Sequence, residues 1–106
     1  TNAIVHLIAL AGRANLPISI DDFDRLSQSV PTLANLRPSG KYLMEDFDLA
    51  GGLTALLSQL PDLLDGQARC IEGGTLADRL VDSQILDTDI IRPRTNPLCE
   101  DSGLCV

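Results

Sequence analysis

A chain of 106 residues with a net charge of -7, 15 acidic side chains against eight basic ones, holds at most one domain and offers no basic face for nucleic acid or an anionic membrane surface. Its apolar fraction is an ordinary 44%, built from Leu, Ile, Val and Ala with two Phe, one Tyr and no Trp. Aromatic side chains supply much of the buried area of a small core, so this composition suits a segment that packs against further protein.

The first predicted element is a helix over 2–14, with Thr1 or Asn2 as its cap. Ile4, Val5, Leu7, Ile8, Leu10 and Ala11 leave almost no polar face, the pattern of a helix buried nearly all round. Asn2, His6 and Arg13 form its one polar stripe. A lone His on such a helix is more often a packed core or rim residue than a site residue. After Pro17, Ser19 opens "SIDDF" as a helix cap, and Asp21 and Asp22 complement the positive end of the helix dipole. That is a simpler account of these acids, with Asp24, than a metal cluster. Ile20, Phe23, Leu26 and Val30 give the apolar face, and Pro31 ends the helix.

"TLANL", at 32–36, is short and apolar enough for a buried strand, and "RPSG", at 37–40, is a turn by composition. Leu43, Phe47 and Ala50 then make one helical stripe, and Leu53, Leu56, Leu57 and Leu60 another, with Gly51 and Gly52 between them. Two glycines inside a helix cost about 2 kcal/mol relative to alanine, which predicts two helices, 41–50 and 52–60, meeting at a packing bend. Asp65 and Gly66 mark a turn, and 68–71 a short strand. Thr75 caps a helix in "TLADRLVD", with Asp78 as its acidic partner. "DIIRP", at 89–93, holds a last short strand closed by Pro93, and the tail is turn-rich. The residues thus describe a mostly helical segment with a few short strands.

No run approaches the roughly 20 apolar residues of a membrane helix. The first residues carry neither the basic start nor the small-residue cleavage site of a secretion signal, and both ends read as cut. Cys70, Cys99 and Cys105 are an odd, low number, which suits a reducing, cytoplasmic compartment. The C-x5-C spacing of Cys99 and Cys105 is no metal knuckle, and all three read as structural or free thiols.

Neither GxSxG, a P-loop, a dinucleotide fingerprint nor HExxH occurs. Glu45 and Asp46 are adjacent, point to different helix faces and make no carboxylate pair. One cluster remains. Arg37, Ser39 and Lys41 surround Gly40 just before a helix start, where backbone amides and cations can bind a carboxylate or phosphate. A purely structural turn is the competing reading.

"NLRPSGKYLMEDF" followed by "AGGL" resembles the dihydroxy-acid and sugar-acid dehydratase family, the group of dihydroxyacid dehydratase, phosphogluconate dehydratase and the aldonic-acid dehydratases. "TNAIVHLIALA" is similar to the helix that follows Gly-Gly-Ser in that family, and "IDDFDRLSQSVPTLANLRPSG" continues in register. "GGTLADRL" resembles the family's "G-K-T-L-x-E-N-L" phrase, with Gly74 where Lys is common, and "IIRPRTNPLCEDSGLCV" resembles the run into its second domain.

The resemblance implies an internal segment of a longer hydro-lyase. Residues 1–92 would be part of an N-terminal α/β domain, and 93–106 a linker toward a β-barrel-like C-terminal domain. The reaction implied is removal of water from a 2,3-dihydroxy acid or sugar acid to give a 2-keto acid. The resemblance further implies an iron-sulfur cluster as Lewis acid, beside a divalent metal, usually magnesium. The family's cluster cysteines, magnesium ligands and serine base map onto no residue here, so the chain alone is expected to be inactive and to hold no cofactor. What it can contribute to the substrate pocket is Thr1, Asn2, Arg37, Ser39, Gly40 and Lys41. The implied partners are the acid substrate, the remainder of the dehydratase and further copies in a cytoplasmic homo-oligomer, with no nucleic acid or membrane. "ANLRPSGKYLMEDF" leans toward the sugar-acid branch rather than branched-chain amino acid biosynthesis. The alternative is a non-catalytic, small helical interaction module.

Overall fold

A computed structural model describes residues 2–103. They fall into two compact units: the residues up to Thr32 together with those from Cys99 onward, and Leu33–Leu98.

The first unit holds α1 (Asn2–Arg13) and α2 (Ile20–Ser27). Helix α1 stops where Asn15 takes a left-handed φ of 56°, and the Leu16 N–H turns back to the Ala11 carbonyl at 2.8 Å. Helix α2 starts as its sequence demands. The Asp22 carboxylate accepts from the Ser19 backbone N–H at 2.9 Å and from the Ser19 hydroxyl at 3.3 Å. It ends at Ser27, short of the expected Val30. The Ser27 hydroxyl donates to the Asp24 carbonyl at 2.7 Å and the Ser29 hydroxyl to the Leu26 carbonyl at 3.0 Å, local bonds that compete with further helix. Beyond Pro31, the Thr32 N–H donates to the Cys99 carbonyl at 2.9 Å and its hydroxyl to the Asp101 carbonyl at 2.7 Å.

Burial of α1 on all sides is not what the structure shows. Only Ala11 of this helix is buried, while Val5 and Leu10 stand 59% and 66% exposed and His6 is exposed too. A helix apolar all round needs cover all round, and among the described residues of its unit α1 has α2 and short non-helical segments beside it.

The second unit packs Phe47, Ala50, Ala55, Ile90 and Ile91 into one core, with Leu36, Tyr42, Leu56 and Ile85 against it. Its helices are α3 (Met44–Leu49), α4 (Gly52–Leu57) and α5 (Leu76–Leu80). Helix α3 begins later than expected because Tyr42 is engaged elsewhere, its N–H on the Asn35 carbonyl at 3.0 Å. Leu43 has no side-chain acceptor to cap with, and the Asp46 carboxylate instead takes the Leu43 N–H at 2.8 Å. Between α3 and α4, Gly51 has φ 124°, and a Cβ there would lie 2.7 Å from the Gln84 carbonyl oxygen. The double glycine is thus a packing bend: it lets the 84–86 backbone close on the helix junction, where the Leu86 N–H reaches the Ala50 carbonyl at 2.8 Å. In α5 the capping is reciprocal, Thr75 N–H to Asp78 Oδ2 at 2.9 Å and Asp78 N–H to Thr75 Oγ1 at 3.3 Å.

The short strands expected at 32–36, 68–71 and 89–93 do not form ladders among the described residues. Each segment carries isolated bridges instead: Thr32 with Cys99, Ala34 with Ile91, Leu36 with Tyr42, and Arg69 with Thr75. The pairing around Ile91 cannot extend, because the Ile90 and Ile91 N–H groups fold back onto the Asp87 carbonyl and Pro93 offers no donor. The described chain is therefore mostly helical. No described helix is long and apolar enough to cross a membrane.

Candidate functional site

The basic turn is built from both sides. The Arg37 N–H donates to the Tyr42 carbonyl at 2.8 Å, and the Gly40 N–H to the Leu36 carbonyl at 2.6 Å. Asn35 braces the inside, its Oδ1 accepting the Lys41 N–H at 2.9 Å while its Nδ2 donates to the Asp89 carbonyl at 3.2 Å. Tyr42 adds a second link, its hydroxyl donating to Asp89 Oδ2 at 3.2 Å. The Arg37–Pro38 peptide is cis. Gly40 is required by space: a Cβ would lie 2.5 Å from Leu36 N and 2.6 Å from Asn35 C, so no side chain fits under the turn.

With the backbone held, the charged ends face outward. Arg37, Ser39 and Lys41 are exposed. Arg37 Nε donates to the Lys41 carbonyl at 3.2 Å, which orients its guanidinium along the turn. Lys41 Nζ stands 5.2 Å from the centre of the Tyr42 ring, within cation–π range. Neither cation pairs with a carboxylate among the described residues. Two cations and a hydroxyl on a braced turn attract and orient an anion.

The structure therefore brings Arg37, Ser39, Gly40 and Lys41 together in the second unit. Asn2 is the exposed first residue of α1, in the first unit, and Thr1 and Cys105 lie outside the described residues. Cys70 and Cys99 are free thiols. Sequence reasoning missed Asn35 and Asp89. An Asn two residues before "RPSG" is a recognisable turn-forming signal, whereas Asp89 lies 54 residues away from Asn35 and nothing local announces it.

Elsewhere the carboxylates serve structure. The Ser19 backbone N–H first, then Arg25, hold Asp22 below the usual aspartate range. Arg94 does the same for Asp62 and the Thr75 backbone N–H for Asp78. A cavity of about 350 Å³ opens between α4 and α5, but Pro61, Leu64, Leu76, Leu80 and Val81 line it, with no charged group to take an acid. No three His, Cys, Asp or Glu side chains come together as a metal site among the described residues. Residues 2–103 thus form no ligand set for a cluster or a divalent cation.

Residues 1–79 match the family described as dihydroxy-acid/6-phosphogluconate dehydratase, N-terminal. Over 108 residues the chain is 44% identical to an L-arabinonate dehydratase of Rhizobium leguminosarum, covering 100% of this chain and 19% of that protein. It is 46% identical over 104 residues to the chloroplastic dihydroxy-acid dehydratase of Arabidopsis thaliana, covering 94% and 17% respectively. An L-arabonate dehydratase of Azospirillum brasilense is 38% identical over 107 residues, 98% of this chain and 18% of its own length. The chain spans about a fifth of the length of the curated relatives it matches.

Proposed function

The chain belongs to the dihydroxy-acid/6-phosphogluconate dehydratase N-terminal family, and on that premise we propose that it works as a segment of a longer hydro-lyase. The reaction is dehydration of a 2,3-dihydroxy carboxylic acid or a sugar acid to the 2-keto acid. Matches along essentially the whole chain to relatives named for both substrate classes carry this reading. Residues 1–92 are part of the enzyme's N-terminal α/β domain, and 93–106 lead toward its C-terminal domain. The apolar side chains that α1 leaves exposed support such a setting.

In the enzyme, the turn of Arg37, Ser39, Gly40 and Lys41, with Thr1 and Asn2, forms part of the wall of the substrate pocket. The braced backbone, the two cations and the hydroxyl suit a carboxylate. The contribution is binding and orientation. The iron-sulfur cluster and magnesium that the family implies are held by the rest of the polypeptide, in a cytoplasmic homo-oligomer, and no step is routed through residues 2–103. The sugar-acid branch is favoured by the "ANLRPSGKYLMEDF" phrase. The test is release of 2-keto acid by the cluster-loaded, magnesium-supplied polypeptide that carries this chain, from sugar acids and from branched 2,3-dihydroxy acids. Turnover of either class supports the reading, and turnover of neither overturns it.

A further inference from the structure

Lys41 and Asp89 carry opposite charges and are both exposed, yet they form no ion pair. Tyr42 engages each of them instead. Lys41 Nζ stands over its ring, 5.2 Å from the centre, and its hydroxyl donates to Asp89 Oδ2 at 3.2 Å. Tyr42 is itself fixed. It is half-buried against the core of its unit, its N–H on the Asn35 carbonyl at 3.0 Å and its carbonyl accepting the Arg37 N–H at 2.8 Å. Asp89 is held as well, its N–H donating to Asp87 Oδ1 at 2.9 Å and its carbonyl accepting from Asn35 Nδ2 at 3.2 Å. An exposed lysine left to itself samples many rotamers. A direct pair with an aspartate would hold it but cancel its charge. A ring face attracts the ammonium without neutralising it and leaves N–H donors for a further acceptor.

We propose that Tyr42 is a positioning residue for substrate binding: it holds the Lys41 ammonium over its ring, still charged, for the carboxylate of the acid substrate, and Asp89 anchors the ring through the hydroxyl. Lys41 touches the substrate, and Tyr42 and Asp89 act through Lys41. The phenol also occupies an Asp89 oxygen that would otherwise compete for the ammonium. The inference rests on the reading of the 37–41 turn as part of a dehydratase's substrate pocket.

The experiment is steady-state kinetics of the full-length polypeptide on the acid it turns over best. Lys41→Met raises KM on the order of tenfold with kcat little changed, and Tyr42→Leu raises it about two- to fivefold. Because Tyr42 acts through Lys41, the double variant is no worse than Lys41→Met alone. Tyr42→Phe and Asp89→Ala keep the ring but lose its anchor and give a smaller rise. Asp89→Asn, whose amide oxygen still accepts the phenol proton, keeps the unsubstituted KM. An unchanged KM in Lys41→Met or Tyr42→Leu, or effects that multiply in the double variant, overturns the proposal. If Tyr42→Leu does not fold, Tyr42→Phe with and without Lys41→Met carries the same test. If the unsubstituted protein releases no 2-keto acid, the dehydratase reading fails, and the hold on Lys41 is judged by its acylation with an N-hydroxysuccinimide ester, followed by peptide mass spectrometry. An ammonium held over a ring reacts slowly, so Lys41 should acylate severalfold faster in Tyr42→Leu, or in Tyr42→Phe to a lesser degree. Equal rates overturn the proposal.

Discussion

Asn35 Oδ1 accepts the backbone N–H of Lys41 at 2.9 Å across a turn whose Gly40 has no room for a side chain. Through Nδ2 the same side chain reaches the Asp89 carbonyl. One amide therefore ties the basic turn to a segment far along the chain. Asn35→Ala removes both bonds and is expected to cost about 1–3 kcal/mol. Asn35→Asp keeps the shape but sets an acceptor against the Asp89 carbonyl, so it too is destabilising. Denaturant unfolding reads both, and a neutral Asn35→Asp would show that the Asp89 link contributes nothing.

The Gly51 and Gln84 backbones meet at the junction of α3 and α4. Gly51→Ala places a Cβ 2.7 Å from the Gln84 carbonyl at a φ of 124°, which is expected to cost about 2 kcal/mol or more. Gly12, in α1, has nothing within 4 Å of a Cβ, so Gly12→Ala is expected to stabilise by about 0.5–1 kcal/mol. Opposite signs for the two substitutions are the expected result, measured as shifts in the unfolding midpoint.

Asp22, Asp62 and Asp78 all have pKa values lowered in the folded chain. The folded state then binds fewer protons than the unfolded one. Their stabilisation is complete above the unfolded aspartate value, about 3.9, and is lost as pH falls through that value toward the folded ones. Tm should therefore drop on acidification below about pH 4, and less steeply when all three are changed to Asn. An identical acid limb in the triple variant would contradict the assignment. High salt should weaken the Asp62–Arg94 pair, whose side chains are 63% and 35% exposed.

The exposed Val5, Leu7 and Leu10 on α1 and Ile20 and Leu26 on α2 form more apolar surface than a free-standing chain usually leaves in water. The 106-residue chain alone should bind a hydrophobic dye or aggregate through this surface, whereas the longer polypeptide, in its homo-oligomer, should leave the dye dark. A monomeric, dye-silent chain would favour the free-standing interaction module instead.

Much of this was legible in the residues. Ser19 with Asp22 and Thr75 with Asp78 announce their helix starts by spacing, and Gly51 with Gly52 announces the bend. The turn at 37–41 is equally plain, because its signals are local. What was not legible depends on distant partners. Whether "TLANL" and "DIIRP" build a ladder or a single bridge depends on Asp87 drawing the Ile90 and Ile91 N–H groups away. The pattern of α1 says that it should be covered, but its periodicity cannot say by what. Asp89 became part of the turn only when the fold brought it beneath Asn35.

The most direct measurement is a segment exchange. Residues 1–106 replace the matching segment of the Rhizobium leguminosarum L-arabinonate dehydratase, and 2-keto acid release from L-arabinonate is followed. If this chain is a working segment of the same kind of enzyme, the chimera folds and turns over at a rate of the same order as the unaltered enzyme. A folded chimera that releases no 2-keto acid, or one that cannot fold around the inserted segment, would contradict it.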